Sequence, residues 1–400
     1  MMIHWFRAKA GGTAVAGVLI VAALPALAQN APLPTQVQSI PALNADLSQV
    51  TVSGLSSGAF MAHQLHVAFS DRIIGAGIIA GGPYGCSGGS SCQAVRACMN
   101  NETTPARALN EHVNVFPPPA ALEISQDRYV EKSYFARHAI PTTPFVRVDS
   151  LHDLQRGIAQ LGLPCVLKTR RMGYDGKGQA VLRAAEQVAA AWQAMQGSAL
   201  ILEQFAPFDM EVSLLSVRGM NGELAFYPLV INTHREGILR QSIPVDNTRE
   251  AGRFTALQQL AQEYATRVLT DLNYVGVLAI EFFVIGGTLL ANEMAPRVHN
   301  SGHWTIEGAE TSQFENHLRA IAGLPLGSTA LKGVSAMVNI IGELPDARAV
   351  LSVAYSHLHL YDKAPRPGRK IGHITINAPD AAKRDDNLQR IRDLPLGLAL

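Results

Sequence analysis

Two glutamates, Glu281 and Glu293, combine residue type and spacing in a way that could bind a metal. They lie on two apolar runs that flank a Gly-Gly pair, which is the pattern of a β-hairpin. A turn centred near Gly287 would place the two carboxylates opposite each other, with Cβ atoms about 5 Å apart. Carboxylates that face solvent would need polar neighbours, which these runs lack. The pattern therefore predicts a buried site neutralised by a cation, and hard oxygen ligands beside the amide of Asn292 favour Mg²⁺.

A glycine-rich segment upstream could cradle the phosphates that accompany such a cation. It follows an alternating run that predicts a strand and ends near Lys168. Closely spaced glycines let backbone N–H groups approach an anion, and the lysines add fixed positive charge. A plain hairpin turn is the alternative for this segment. Its residues are Gly173, Tyr174, Asp175, Gly176, Lys177, Gly178 and Gln179.

A predicted strand and turn between these motifs could hold a nucleoside. The apolar run 200–204 ends in Glu203-Gln204, and a short turn leads to a second strand that carries Glu211. A short apolar hinge followed by a carboxylate suits a purine base and its ribose hydroxyls. Loop, hinge and paired glutamates together indicate Mg²⁺ bound between carboxylates and ATP.

The composition limits the classes to which the chain can belong. Its 400 residues are 48% hydrophobic and 16% charged, which excludes a disordered chain and allows two or three globular domains. The 33 basic and 32 acidic residues leave a formal net charge of +1, without the broad basic surface that nucleic acids require. We therefore expect a globular protein with small-molecule substrates and no nucleic-acid partner.

Residues 1–28 have the features of an export signal. A basic start precedes the apolar stretch 13–24, and small residues lead to Ala28. A membrane anchor is the alternative, but a span needs roughly 20 apolar residues and Pro25 interrupts this shorter run. We expect cleavage after Ala28 and no stable membrane span.

Residues 29–101 carry a motif of nucleophilic hydrolases centred on Ser56. Its G-x-S-x-G run lies between a predicted strand, 47–53, and a predicted helix, 59–69. A helix N-cap is the alternative for this serine. Together with the glycine-rich run that ends at Cys86, this sequence resembles the secreted polyhydroxybutyrate depolymerases of the α/β-hydrolase fold. By that resemblance, Ser56 would be the nucleophile.

The rest of a hydrolase triad does not follow this motif. The histidines before residue 101 that come after Ser56 are His63 and His66, both on the predicted helix, where neither suits a general base. The segment therefore resembles a truncated α/β-hydrolase-like fragment with a vestigial nucleophile. The pairing of its three cysteines stays open, and these are Cys86, Cys92 and Cys98.

The remainder of the chain resembles a second family, through the motifs 125–128, 173–179, 292–304 and 361–370. From about Thr104 to Ile376 it is similar to the N5-carboxyaminoimidazole ribonucleotide synthetases, which are ATP-grasp enzymes of purine biosynthesis. The resemblance implies an α+β / α/β chain with an ATP-grasp fold and a small C-terminal β domain. It also implies that bicarbonate carboxylates 5-aminoimidazole ribonucleotide through carboxyphosphate, with ATP and Mg²⁺ as cofactors.

The same resemblance implies roles for individual side chains. Glu281 and Glu293 would hold Mg²⁺, and Glu211 would bind the ribose hydroxyls. The loop 173–179 would close over the phosphates, and the other nucleotide contacts would be Arg128, Lys168, Glu203, Gln204, Phe205, Ala206, His234, Asn292 and Glu293. Catalysis would fall to Arg297, His299 and Asn300, and acceptor binding to Tyr174, Asp175, Lys363, Arg366, Arg369 and Lys370. A core histidine is the alternative for His299, and a solvated surface is the alternative for the basic run.

Domain boundaries follow from these assignments. After residue 101 we expect a linker helix with a first ATP-grasp subdomain, a second subdomain, a C-terminal β domain and a tail, at 102–205, 206–352, 353–385 and 386–400. Members of the synthetase family begin with a nucleotide-fold domain, which the hydrolase-like fragment replaces here. We therefore expect a fusion of two unrelated genes, with its junction near residues 100–102.

The two halves of the sequence predict different locations and activities. The ligase portion is expected in the cytoplasm, whereas the leader predicts export. A secreted serine esterase that uses Ser56, and an inactive nucleotide-binding chimera, are the alternatives to the synthetase. The sequence leaves the oligomeric state open, with a homodimer among the alternatives.

Overall fold

The computed structural model describes the chain in seven segments. The backbone alone is described for 2–10, 13–21, 50–55 and 73–79, and most side chains are described as well in 115–173, 178–246 and 251–394. The chain divides into two compact units, Met1–Pro119 and Ala120–Leu400.

The first unit contains a five-stranded sheet. Its strands are β1 (Met2–Ala10), β2 (Thr13–Val21), β3 (Val50–Leu55), β4 (Ile73–Ile79) and β5 (Val115–Phe116). They lie in the order β2-β1-β3-β4-β5, antiparallel from β2 to β3 and parallel from β3 to β5. The apolar run of the predicted leader thus includes β2, and β3 agrees with the strand predicted before the serine motif. Ala28, Ser56, Cys86, Cys92 and Cys98 lie outside the described residues.

A four-stranded antiparallel sheet begins the second unit. Its elements in chain order are α1 (Pro119–Ser125), α2 (Arg128–Arg137), β6 (Phe145–Val148), α3 (Leu151–Leu161), β7 (Cys165–Thr169), β8 (Gln179–Leu182), α4 (Gln187–Met195) and β9 (Leu200–Gln204). The strand order is β6-β9-β7-β8. Leu154, Leu167 and Leu202 form part of a buried core between this sheet and helix α3.

A nine-stranded antiparallel sheet forms the rest of the second unit. Its elements are β10 (Met210–Arg218), β11 (Leu224–Phe226), β12 (Val230–Arg235), β13 (Ile238–Pro244), α5 (Ala251–Asp271), β14 (Gly276–Ile285), β15 (Thr288–Ala295), α6 (Thr305–Gly308), α7 (Gln313–Ile321), β16 (Val334–Ile341), α8 (Ala347–Leu351), β17 (Ser356–Leu360), β18 (Lys370–Ala378) and α9 (Ala381–Asp393). The order is β15-β14-β10-β12-β13-β16-β18-β17, with β11 beside β10. Because β16 pairs with β13, the strands of the C-terminal part continue the sheet of the preceding subdomain.

Local sequence accounts for the elements that position the candidate site. Helix α2 begins where the sequence predicts, because the Asp127 side chain accepts hydrogen bonds from the N–H groups of Tyr129 and Val130. Strand β9 has the predicted bounds. The large sheet buries residues such as Leu214 and Ile280 against α2 and α5. Among the described residues, no helix is long and apolar enough to cross a membrane.

Candidate active site

The hairpin of β14 and β15 brings the two predicted metal ligands together. Gly286 and Gly287 form its turn with φ of 56° and 78°, values that glycine adopts without steric cost. Glu281 pairs with Glu293, as the spacing predicts. The turn is centred between the two glycines and not at Gly287, and a bulge that leaves Asn292 unpaired restores the predicted partners.

Burial makes this carboxylate pair unfavourable without a cation. Burial, and then the charge of Glu293, raise the pKa of Glu281 to about 7. Glu131 is also buried, and burial together with Glu293 raises its pKa well above the usual range. One Glu131 oxygen accepts a 2.7 Å hydrogen bond from the N–H of Met294 on the same strand as Glu293. A divalent cation would relieve the repulsion, so the residues present fit the predicted Mg²⁺.

A buried ion-pair cluster holds Lys168 at the end of β7. Lys168 Nζ lies 2.9 Å from Glu203 Oε2, and Lys132 Nζ lies 3.4 Å from the same oxygen. Burial alone would raise the pKa of Glu203, but Lys132 and Lys168 outweigh burial and lower it to about 2. The other oxygen, Glu203 Oε1, is buried and has no hydrogen-bond partner among the described residues. That oxygen can accept a donor from a bound ligand.

Arg128 braces the base of the glycine-rich loop. Its Nη1 donates to the carbonyl of Thr169 and its Nη2 donates to that of Gly173, both at 3.0 Å. At the far end of the loop, Gly178 has a φ of 69°, and a Cβ added there would lie 2.6 Å from Thr169 Oγ1. Gly178 therefore packs closely against Thr169, and its positive φ favours glycine at this position. Gln179 begins β8, and Tyr174, Asp175, Gly176 and Lys177 lie outside the described residues.

The predicted adenine hinge follows β9 directly. Gln204 is exposed, and its side chain donates to a carbonyl at the end of α3. The N–H of Phe205 donates to the carbonyl of Pro164, and Arg183 lies over the Phe205 ring, 5.3 Å from its centroid. Ala206 is half-buried beyond it. The segment is thus fixed on the edge of β7 by its own backbone, next to Glu203.

Two further predicted nucleotide contacts form a pair across β10 and β12. Glu211 Oε2 lies 2.8 Å from His234 Nδ1. Burial lowers the pKa of His234, but the hydrogen bond and charge of Glu211 outweigh burial and raise it above the usual value. The structure therefore brings these two residues together as the resemblance implies.

Two predicted catalytic residues lie beside the paired carboxylates. His299 Nε2 lies 3.5 Å from Glu281 Oε1. The backbone of His299 is fixed by Gln313, whose side chain accepts from its N–H at 2.9 Å and donates to its carbonyl at 2.7 Å. Burial, and then the charge of Arg297, lower the pKa of His299 well below its usual range. His299 thus presents a neutral ring at the site, and Arg297 is buried where the charges of Glu293 and Glu281 reach it.

The third, Asn300, makes its contacts with the protein. Its Nδ2 donates to Asn339 Oδ1 at 2.9 Å, and Asn339 Nδ2 donates to Asn300 Oδ1 at 2.7 Å. Asn339 lies on β16 and is fully buried. This reciprocal amide pair positions the segment that carries His299, so the geometry gives Asn300 a positioning role.

The basic run forms an irregular loop between β17 and β18, as its prolines and glycine predict. Lys363 Nζ lies over the ring of Tyr361, 5.2 Å from its centroid. Arg369 Nη1 donates to the carbonyl of Ala364 at 3.3 Å, Arg366 is exposed, and Lys370 begins β18. The side chains share one loop, where they could meet an anionic ligand.

Sequence reasoning missed several residues that support the site. Lys132 carries no signal on its own, because burial of one face of α2 is a tertiary property. Asn339 is 39 residues from its partner, and no local pattern joins them. The missed residues are Glu131, Lys132, Thr143, Gln313, Asn339, Tyr361 and His373.

The chain matches two family models. Residues 133–314 match the ATP-grasp domain, and residues 335–387 match the phosphoribosylaminoimidazole carboxylase C-terminal domain. The second match begins at β16, 18 residues before the boundary that the sequence predicts at 353. Both matches begin after residue 132, so they lend no support to the hydrolase-like start, the leader or the fusion.

Relatives and solved structures agree with these models. The chain is 52% identical to N5-carboxyaminoimidazole ribonucleotide synthase of Pseudomonas aeruginosa over 73% of the chain and 80% of the relative. A crystal structure of the synthetase from Thermus thermophilus matches with a TM-score of 0.71 and 48% identity, covering 84% of this chain and 85% of that one.

A third relative carries ligands. The synthase of Aspergillus clavatus in complex with ADP and 5-aminoimidazole ribonucleotide matches with a TM-score of 0.65 and 31% identity, over 72% and 78% of the two chains. The paired carboxylates, the ion pair of Lys168 with Glu203 and these similarities lead to one assignment. The chain belongs to the N5-carboxyaminoimidazole ribonucleotide synthase family of ATP-grasp ligases.

Proposed function

We propose that the chain catalyses ATP-dependent carboxylation of 5-aminoimidazole ribonucleotide by bicarbonate, a step of purine biosynthesis. The observation that carries the proposal is the pairing of Glu281 with Glu293 across the bulged hairpin. Half-buried carboxylates paired at this position fit a site for the cation that accompanies ATP. Bound there, Mg²⁺ would neutralise charge on the phosphates during phosphoryl transfer.

Protein groups on both sides of the hairpin fit the nucleotide. Lys168, held by Glu203, supplies a fixed positive charge for phosphate, and the buried Oε1 of Glu203 offers an acceptor for a base amino group. Glu211 and His234 would contact the ribose. Arg128 would act chiefly through the loop that it braces, because two of its donors are used by Thr169 and Gly173.

The chemistry needs positioning and charge neutralisation, without a covalent enzyme intermediate. A bicarbonate oxygen attacks the γ-phosphorus of ATP, the bond to ADP breaks, and carboxyphosphate forms. The acceptor amine then forms a C–N bond to the carboxyl carbon, phosphate leaves, and the amine releases one proton. Arg297 would stabilise the anionic oxygens, and neutral His299 would hydrogen-bond the carboxylated intermediate beside Glu281.

The acceptor would bind at the loop between β17 and β18. A ribonucleotide monophosphate requires cationic donors, which Lys363, Arg366, Arg369 and Lys370 supply. Tyr174 and Asp175 of the glycine-rich loop would be further acceptor contacts. A homodimer is compatible with this assignment.

The test is phosphate release by the purified chain with MgATP and bicarbonate, with and without 5-aminoimidazole ribonucleotide. We expect release that requires the ribonucleotide and falls to background in Glu293→Gln. Absence of ribonucleotide-dependent release in a folded protein that binds ATP would contradict the proposal and favour the inactive nucleotide-binding chimera.

A second candidate function rests on the start of the chain. The Ser56 motif is the observation that favours a secreted esterase fragment fused to the ligase, with a leader that ends at Ala28. Hydrolysis of a polyhydroxyalkanoate or a p-nitrophenyl ester that is lost in Ser56→Ala would support it. We expect none, because the histidines that follow Ser56 before residue 101, His63 and His66, lie on the predicted helix, where neither suits a general base. The ligase portion requires ATP, which favours the cytoplasm, and detection of the chain in cell fractions would decide its location.

A further inference from the structure

A hydrogen-bonded network of neutral side chains lies next to the candidate active site, and we call it the neutral network. Tyr361 Oη lies 2.9 Å from His303 Nδ1 and 2.7 Å from His373 Nδ1. The His303 ring also approaches Asn300, whose Nδ2 lies 3.5 Å from the same Nδ1. The reciprocal pair of Asn300 with Asn339 completes the neutral network. The network joins the segment after β15 to β16, to the end of β17 and to β18.

The hydrogen bonds of the neutral network assign the amide orientations and the histidine ring protons one after another. Asn339 Nδ2 donates to the carbonyl of Leu239 at 3.0 Å, and a carbonyl can only accept, so the orientation of the Asn339 amide is set. Its Oδ1 must then face the NH₂ group of Asn300. The same NH₂ group lies 3.5 Å from His303 Nδ1, a contact that favours the unprotonated form of that nitrogen.

The two histidines consequently have opposite tautomers. The Tyr361 hydroxyl has one proton, and it donates this proton to the bare Nδ1 of His303. It must then accept from His373, whose proton lies on Nδ1. This assignment leaves His373 Nε2 as a buried lone pair, and that atom has no partner among the described residues. A buried acceptor without a partner is less unfavourable than a buried donor, so the assignment is self-consistent.

Burial keeps both rings neutral. It lowers the pKa of His303 to about 3 and that of His373 to about 2, with further lowering by nearby positive groups and histidines. Among the described residues, no group forms a hydrogen bond with His373 Nε2 and could receive a proton from it. The neutral network therefore positions His303 and is not a proton relay.

His303 then carries its remaining proton on Nε2, because its Nδ1 accepts from the Tyr361 hydroxyl. The Tyr361 ring that bonds to His303 lies under Lys363, whose Nζ is 5.2 Å from the ring centroid, and after burial the charges of His359, Lys370, Arg297 and Lys363 lower the pKa of His303. Two of these are the lysines that the proposed function assigns to the acceptor phosphate. A neutral N–H among cations can donate to an anionic oxygen without an added positive charge.

We propose that His303, held by Tyr361 and His373, donates its Nε2–H to a phosphate oxygen of the acceptor ribonucleotide. Tyr361 and His373 are then positioning residues, and His303 is a binding residue. The inference rests on the proposed function for the identity of the acceptor. Its proton assignments can be tested without any activity.

Histidine-selective ¹⁵N NMR of the full chain tests the assignments directly. We expect a neutral Nε2–H pattern for His303 and a neutral Nδ1–H pattern for His373, assigned through the His303→Gln and His373→Asn variants. Ribose 5-phosphate should shift the Nε2 signal of His303. Identical tautomers, a charged His303 at pH 7, or no response to a saturating amount of ribose 5-phosphate would overturn the proposal, whether or not the chain turns over ATP.

Kinetics test the consequence for the acceptor. Tyr361→Phe keeps the ring under Lys363 and removes the hydroxyl, so KM for 5-aminoimidazole ribonucleotide should rise roughly 10- to 100-fold while KM for ATP stays unchanged. His373→Asn retains a donor at the Nδ1 position and should rescue KM, whereas His373→Leu should match Tyr361→Phe. The exposed control His357→Gln should match the wild type. Equal changes for both substrates, or no difference between the two His373 variants, would contradict the proposal.

Discussion

The candidate site has two regions that differ in charge: one is built from charged side chains and the other from neutral ones. On the nucleotide side, buried charges are concentrated, with Lys132 and Lys168 on one carboxylate oxygen and Glu281 against Glu293. On the proposed acceptor side, the neutral network positions the site through hydrogen bonds of Tyr361 and Asn339. The first region includes carboxylates that require a cation, whereas the second completes most of its hydrogen bonds internally.

This difference between the charged and the neutral region shows how one site can combine strong binding with accurate positioning. Charged groups kept from water interact strongly with a charged ligand, but they destabilise the protein wherever a partner is missing. Neutral hydrogen bonds fix geometry with less dependence on the ligand. Changes in the charged region should therefore have larger effects than changes in the neutral one.

The largest effect is expected from Glu293→Gln. Loss of one carboxylate removes a metal ligand, and phosphate release should fall by roughly 1000-fold, since metal neutralisation contributes several kcal/mol to the transition state. A coupled assay of phosphate release measures this. The exposed Glu343→Gln serves as the matched control and should retain full activity. Activity in Glu293→Gln within tenfold of the wild type would refute the metal assignment.

Lys132→Met should have the largest effect on stability. It leaves Glu203 buried with one fewer cation, so the free energy of unfolding should fall by about 3–5 kcal/mol. Urea unfolding measures the change, and adding Glu203→Gln should restore most of the loss because the buried charge is removed. Lys383→Met breaks an exposed pair with Asp380 and should change the free energy of unfolding far less, because solvent screens exposed ion pairs. Equal losses in the two lysine variants would show that burial of the cluster is unimportant.

A double-mutant cycle at Asn300 and Asn339 tests the neutral region. Each single change to alanine removes both hydrogen bonds of the reciprocal amide pair and should lower the free energy of unfolding by about 1–3 kcal/mol. The double variant should lose less than the sum, because both partners are then absent. Additive losses would mean that the reciprocal amide pair makes no contribution in solution.

The smallest effect concerns the dependence of stability on pH at His234. Its pKa is raised in the folded chain by Glu211, so the pair contributes stability that is fully present below the unfolded pKa of about 6.5. That contribution should be lost as the pH rises through the raised folded pKa. We expect about 1 kcal/mol of difference between wild type and His234→Gln at pH 6, shrinking by pH 9. The exposed His357→Gln should show no such trend, and a difference that grows with pH would have the wrong sign.

The sequence predicted the parts of this site that depend on local patterns. Turn glycines and apolar runs sufficed to pair Glu281 with Glu293, although the bulge at Asn292 has no signal of its own. The run 125–128 predicted the start of a helix, and α2 begins at Arg128 with Asp127 as its N-cap. Burial of Lys132 and the amide pair of Asn300 with Asn339 depend on contacts distant in sequence, which periodicity does not encode. Sequence therefore predicted that the two carboxylates pair, and missed the distant groups that position the site.

The most direct test of the central claim uses bicarbonate labelled with ¹⁸O. If the chain forms carboxyphosphate, one bicarbonate oxygen is transferred to phosphorus, and mass spectrometry of the released phosphate should show one ¹⁸O per turnover when 5-aminoimidazole ribonucleotide and MgATP are present. Released phosphate that carries no label would mean that water attacks ATP, and the assignment of this site to bicarbonate activation would be wrong.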